Sequence, residues 1–191
     1  EIAGKTKKII FDKTGTLTSG KPKVTDFSFM DNLDNVADKL NLKKPSNISY
    51  QDYILSLIYL LEKHSEHSLA GAILEFLKGD ASQRGRTQTA VGVRPQQGIK
   101  AIEGHGIKGE IDGVEILIGN KKLMEKEKVM RCAGLDKKAT KWSEEAKTIA
   151  YVAINGKNVA LFAIADTLKD DAKEAVLQLK NMGIDVYMIT G

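Results

Sequence analysis

The stretch Asp12-Lys13-Thr14-Gly15-Thr16-Leu17-Thr18 gathers groups suited to handling a phosphoryl group. It follows Lys7 to Phe11, a short β-branched and apolar run that reads as a parallel strand buried on both faces. Open α/β sheets bind their ligands at the carboxyl ends of such strands, so Asp12 stands where a carboxylate can act as a nucleophile. Thr14 and Thr16 add hydroxyls, and Gly15 lets the chain turn tightly enough for backbone N–H groups to converge on an anion. Attack by Asp12 on phosphorus would give an acyl phosphate, with a bound Mg2+ offsetting the repulsion between carboxylate and phosphate. The competing reading is that Asp12 only caps a turn.

A second group of residues lies in the middle of the chain. His67, in Glu62-Lys63-His64-Ser65-Glu66-His67-Ser68-Leu69, offers a hydrogen-bonding nitrogen and a flat face for a purine, although a histidine at a helix end also serves as a cap. Gly104-His105-Gly106-Ile107-Lys108-Gly109 satisfies the Gly-x-Gly-x-x-Gly pattern of dinucleotide sites, but alternating strand and an Asp-Gly turn follow where a helix is required. Gly4-Lys5-Thr6 lacks the glycine of a Walker loop, and Asn47-Ile48-Ser49 is a glycosylation sequon relevant only to a secreted chain.

The elements that must position these residues are of two kinds. Lys7 to Phe11 and Ile184 to Ile189 read as parallel strands, the second preceded by a helix over Asp166 to Met182, capped by Asp166 or Thr167 and closed by Gly183. Between them lie two amphipathic helices, about 50–63 and 68–77, and a polar loop over Gly79 to Gln97. Five antiparallel strands then follow, near 98–103, 106–111, 114–118, 149–155 and 158–165. Asp112-Gly113 and Asn155-Gly156 mark hairpin turns. The reading is an α/β domain in two pieces, 1–26 and 160–191, interrupted by an α+β insert over 27–159.

Composition narrows the class. The 191 residues are 42% hydrophobic and 28% charged with three prolines, as expected of an ordinary globular protein. Twenty-nine basic against 25 acidic residues give a net charge of +4, scattered rather than striped, which disfavours nucleic acid as a partner. The single cysteine, Cys132, cannot pair within the chain and fits a reducing compartment. No apolar run approaches the roughly 20 residues of a membrane span. The opening Glu1-Ile2-Ala3-Gly4, with neither Met nor signal pattern, reads as the start of an excised piece.

Asp12 to Thr18 resembles the phosphorylation signature of the P-type ATPases, whose phosphorylation domain has a haloacid-dehalogenase-like, Rossmannoid α/β fold. Glu62 to Leu69 narrows the resemblance to the heavy-metal-transporting subgroup of copper or zinc type, with Ser68 where the subgroup carries proline. The resemblance implies an ATP-binding and aspartyl-phosphorylation unit: an inserted nucleotide-binding domain over 27–159 and a partial phosphorylation domain from the two ends. The phosphoryl acceptor is Asp12, assisted by Lys13, Thr14 and Thr16, with Thr190 and Gly191 matching the start of a Thr-Gly-Asp phosphate-holding segment and Asp12 and Thr14 expected at Mg2+. ATP is expected at Glu62, His67, Gly104, Gly106, Gly119 and Asn120, the glycines allowing close approach of the nucleotide.

Phosphatases of the wider fold carry an acid/base Asp at the position of Thr14, so its absence here favours a persistent aspartyl phosphate. A hinge near residues 27 and 159 would deliver the γ-phosphate. The implied partners are the transmembrane and actuator domains of a parent membrane protein, with this chain on the cytoplasmic side and the transported metal bound elsewhere. This chain alone is expected to bind ATP but to phosphorylate poorly. A stand-alone phosphatase of the same fold and a non-catalytic nucleotide-sensing module are the alternatives.

Overall fold

The structure, a computed structural model, describes residues 6–67, 69–79 and 96–189. Its contacts divide the chain into two units, Glu1–Lys23 with Asp166–Gly191, and Val24–Ala165. In chain order the elements are β1 (Lys8–Asp12), a π-helical turn (Lys13–Leu17), β2 (Thr18–Phe29), α1 (Leu33–Ala37), a 3-10 turn (Asp38–Leu40), α2 (Tyr50–Glu62) and α3 (Ala70–Gly79). There follow β3 (Gln96–Ile102), β4 (Gly106–Ile111), β5 (Val114–Gly119), α4 (Lys121–Lys126), α5 (Ala133–Glu144), β6 (Thr148–Ile154), β7 (Lys157–Leu168), α6 (Ala172–Asn181) and β8 (Asp185–Ile189). The polar loop expected over Gly79 to Gln97 falls largely on residues 80–95, outside the described residues.

In the first unit β1 and β8 pair in parallel, Lys8 opposite Asp185 through Asp12 opposite Ile189. Their carboxyl ends therefore lie side by side. The strand is not buried on both faces as its apolar run implies: exposure alternates along β1, and Ile10 is 61% exposed. With β8 as its only partner among the described residues, little covers its faces. The helix expected from Asp166 starts instead at Ala172, because β7 stays extended through Leu168 and the Asp166 side chain is engaged elsewhere. Gly183, at φ 79°, closes α6 as expected, with Ile184 N–H donating back to the Leu179 carbonyl at 3.1 Å.

The second unit is built on a sheet of order β2-β7-β6-β5-β4-β3. The hairpin turns fall where the sequence puts them. Asp112 (φ 56°) and Gly113 (φ 76°) join β4 to β5, and Asn155 (φ 46°) and Gly156 (φ 76°) join β6 to β7. Two consecutive left-handed residues match the twist of a two-residue hairpin. The α2 helix begins at Ser49, whose side chain accepts the Asp52 N–H at 3.0 Å, and buries Tyr53, Ile54, Leu57, Ile58 and Leu61 completely. Phe27, Phe76 and Phe162 stack within the same core, the rings of Phe27 and Phe162 being 4.7 Å apart.

Three elements of this unit escape a reading by period. β2 is polar along Lys21-Pro22-Lys23, which suits its place at the sheet edge, where a residue lacking N–H is tolerated. α4 is short and capped by Asn120. α5 buries only Leu135 and Ala139 on an otherwise polar helix.

Candidate functional site

Asp12 ends β1 with its side chain exposed, and the chain turns at once through Lys13–Leu17, with Gly15 at φ 78°. Two residues from far along the chain fasten this turn. Asp166 accepts a hydrogen bond from the buried Thr18 hydroxyl and a second, at 3.2 Å, from Ser19. The Gly15 N–H donates to Thr18 Oγ1 at 3.2 Å, Lys169 Nζ donates to the Gly15 carbonyl at 2.9 Å, and the Lys169 N–H donates to the Leu17 carbonyl at 2.9 Å.

Asp166 is therefore an anchor of the motif turn and not a helix cap; no helical period could reveal this role, which depends on a partner 148 residues away. Thr16 is exposed beside Gly15. The side chains of Lys13 and Thr14, and all of Thr190 and Gly191, lie outside the described residues.

The second unit brings Glu62, His67, Gly104, Gly106, Gly119 and Asn120 to the wall of one cavity of about 240 Å3. These residues come from the end of α2, the turn before α3, the β3–β4 turn and the end of β5, with Ile107, Ile118 and Ile149 supplying an apolar lining. Ser68 falls outside the described residues.

Glu62 is 3% exposed, and its Oε2 has no hydrogen-bond partner. Burial pushes its carboxyl up to about 7, a rise only partly offset by a hydrogen bond with the Ser65 side chain. His67 is exposed, and its Nδ1 accepts the Leu69 N–H at 3.2 Å. In the neutral ring this contact leaves the proton on Nε2, available to a ligand. His67 thus also fastens the turn that leads into α3, next to the capping role that the sequence offered as the alternative.

The glycines divide by role. Gly104, at φ 67°, has open space where a side chain would stand. Gly106 and Gly119 face each other across β4 and β5; a Cβ on Gly106 would lie 2.0 Å from the Ile118 carbonyl oxygen, and one on Gly119 would lie 2.3 Å from that of His105. Close packing of two backbones requires these glycines, so approach of a nucleotide is not what excludes a side chain there. Asn120 is likewise occupied by the protein: its Oδ1 accepts the Leu123 N–H at 3.0 Å, and its Nδ2 donates to the Gly104 carbonyl at 3.1 Å. It clamps the β3–β4 turn to the start of α4 while lining the cavity.

His105 lines the same cavity with a buried, unpartnered Nδ1. Its position between two glycines is the only signal in the sequence that could have drawn attention to it.

Among the described residues Glu62 is the only carboxylate on this wall, and no Lys or Arg lines it. At about 240 Å3, just below the roughly 300–1,000 Å3 typical of ligand pockets, the cavity is suited to an uncharged ring system and sugar, not to a whole nucleoside triphosphate.

An α/β unit with an aspartate ending a parallel strand, interrupted by a unit with its own ligand-sized cavity, defines the class of protein. The family model for haloacid dehalogenase-like hydrolases matches residues 6–191, and the chain belongs to that family. Its curated relatives include copper-exporting P-type ATPases of Staphylococcus aureus, 36% identical over 183 residues in strain bovine RF122 / ET3-1 and 37% in strain JH9. Each alignment covers 96% of this chain and 19% of the relative, so the chain spans about a fifth of the length of the curated relatives it matches.

Among solved structures, a zinc-transporting PIB-type ATPase in its E2.Pi state aligns over 97% of this chain and 26% of its own, with TM-score 0.67 and 23% identity. A second, from work on the catalytic domain of the CPx-ATPase CopB-B upon nucleotide binding, aligns over 97% and 54%, with TM-score 0.60 and 24% identity. Both likenesses are of fold. No helix among the described residues is long and apolar enough to cross a membrane.

Proposed function

We propose that the Val24–Ala165 unit binds the adenosine part of ATP in the cavity around Glu62 and His67, and that Asp12 accepts the γ-phosphoryl group. The observation that carries the reading is the convergence of six residues, scattered between Glu62 and Asn120 in the sequence, on one cavity holding a buried carboxyl with an unpartnered oxygen. Such an oxygen suits the exocyclic amine of adenine. Guanine presents a carbonyl at the equivalent edge, which repels an ionised carboxylate. His67 Nε2 and its ring face supply a second contact, and the triphosphate extends out of a cavity whose described residues offer no Lys or Arg to hold it.

In the transfer itself an Asp12 carboxylate oxygen bonds to the γ-phosphorus as the bond to the β–γ bridging oxygen breaks. ADP leaves with that electron pair, and no proton need move. Positioning and electrostatics carry most of the rate in such reactions. Mg2+ is usually held by one or two carboxylates together with substrate phosphates. The described residues contain no cluster of three or more His, Cys, Asp or Glu, and Asp12 is an exposed carboxylate at the strand end, a donor set that fits a metal shared with the phosphates. When bound, the ion would neutralise charge between the two anions. Asp166 and Lys169 hold the turn that presents Asp12. On this reading the chain is the nucleotide-binding domain and part of the phosphorylation domain of a heavy-metal P-type ATPase of copper type. Its partners are then the transmembrane and actuator parts of the same protein, and the cargo metal binds there.

Calorimetric titration with ATP, ADP and GTP tests the nucleotide assignment. ATP and ADP should bind with similar affinity and more tightly than GTP, with little dependence on Mg2+. His67→Ala should weaken ATP at least about tenfold, corresponding to about 1.4 kcal/mol. Equal binding of ATP and GTP, or an unaffected His67→Ala protein, would remove the assignment.

A further inference from the structure

Among the described residues three buried side-chain polar atoms lack a hydrogen-bond partner: Glu62 Oε2, His105 Nδ1 and Asn158 Oδ1. The first two line the cavity assigned above to adenosine. The third belongs to Asn158, a residue in the wall of a different cavity on the same unit, of about 270 Å3, to which neither the sequence motifs nor the relatives assign a ligand. We propose that this second cavity binds a small aromatic monocarboxylate carrying a hydroxyl or amino donor.

Asn158 stands at the start of β7 and is 3% exposed, with its backbone N–H donated to the Met130 carbonyl at 3.0 Å. An amide oxygen so deeply buried is costly to leave without a donor, and such groups are few in native proteins. A donor on a ligand would satisfy it. Above Asn158 the walls are Met124, 7% exposed, with Val129 and the half-buried ring of Tyr151. A thioether, a branched aliphatic group and an aromatic face are the surfaces against which a flat ring packs well.

The rim carries Lys121, Lys128 and Arg131 against Glu125 and Asp136, an excess of one positive charge. Arg131 pairs with Asp136 at 3.0 Å and Lys121 with Glu125 at 3.9 Å. Among the described residues of the rim Lys128 is the cation left over, held in the left-handed region at φ 53° just beyond α4. A single carboxylate on the ligand answers that charge, whereas a polyphosphate would meet two carboxylates as well.

The site is distinct from the first cavity yet adjoins it through α4. Asn120, the cap of that helix, lines the first cavity, and Lys121, the next residue, lines the second. Gly119 on the first wall is also the cross-strand partner of Tyr151 on the second. The inference does not depend on what the first cavity binds.

The test uses the 191-residue chain labelled with 15N, with 4-hydroxybenzoate as the probe and benzoate as the matched probe lacking the donor. Saturable shifts at the amides of Lys121, Met124, Val129 and Tyr151 are expected below about 1 mM 4-hydroxybenzoate, with benzoate at least about tenfold weaker. Val129→Trp, which fills the cavity from a partly exposed position, should abolish both responses; Asn158→Leu should make the two probes equal. Absence of saturable shifts up to about 10 mM, equal affinity of the two probes for the unaltered chain, or binding that survives Val129→Trp in folded protein would overturn the proposal. The comparison of probes on the unaltered chain stands even if the buried Asn158→Leu replacement prevents folding.

Discussion

Gly106→Ala is expected to destabilise the Val24–Ala165 unit by about 3–5 kcal/mol, a large effect for the addition of one methyl group. The added carbon would lie 2.0 Å from the Ile118 carbonyl oxygen and 2.6 Å from the Gly119 Cα. Both obstacles are backbone in the paired strand, so neither can move aside by a change of rotamer, and the positive φ of 151° adds strain. Relief requires prising β4 from β5 at the place where His105, Gly119 and Asn120 line the first cavity. Gly104→Ala is the matched control: nothing stands within 4 Å, and only the φ of 67° opposes it, for about 1–2 kcal/mol. Urea unfolding of the two variants measures both. A Gly106→Ala protein as stable as Gly104→Ala would show that the two strands do not pack as described.

Glu62→Gln is expected to stabilise the unit by about 3 kcal/mol at pH 8 and by less than about 1 kcal/mol at pH 5. The Glu62 carboxyl rises on folding from an ordinary 4.5 to about 7. Below pH 4.5 both folded and unfolded chains hold the proton, and burial carries no ionisation penalty. Between 4.5 and about 7 the unfolded chain releases its proton while the folded chain retains it, so stability falls as pH rises and is lowest above 7.

Glutamine has the same shape and no charge to bury, so it escapes this loss. Denaturant melts of both proteins from pH 5 to pH 8 should diverge with rising pH, and parallel curves would contradict the burial of an ionisable Glu62. The same residue links pH to selectivity in the proposed site. An ionised Glu62 accepts from the adenine amine, whereas a protonated one can donate to the guanine carbonyl, so preference for ATP over GTP should sharpen as pH rises through 7.

Local signals made much of this molecule readable. Asp-Gly and Asn-Gly specify their turns because only two left-handed residues in succession suit a tight hairpin, and the α2 period of Tyr53, Leu57 and Leu61 marks one buried face. Asp12 is identifiable because strand, carboxylate and glycine turn are contiguous. What escaped depends on partners remote in sequence. Asp166 looks like a cap until Thr18 and Ser19 are seen beside it, β2 shows no strand period and is explained only by its edge position, and β1 looks doubly buried until β8 proves its only described neighbour.

The glycines and Asn120 illustrate a different difficulty. Their positions in the cavity wall follow the sequence expectation, yet Gly106, Gly119 and Asn120 are held by the protein's own backbone packing and capping, a role that residue type alone cannot separate from ligand contact. The second cavity, assembled from α4, α5, β6, β7 and the segment joining the two helices, has no motif in the sequence.

If ATP occupies the cavity of Glu62 and His67, an amide shift map of the 15N-labelled chain titrated with ATP shows it. Saturable changes are expected at Ser65, His67, Gly104, His105, Gly106, Gly119 and Asn120, with Lys128 and Val129 unmoved. Saturable changes centred on Lys128 and Val129, or none at His67 and His105 while ATP binds, would contradict it.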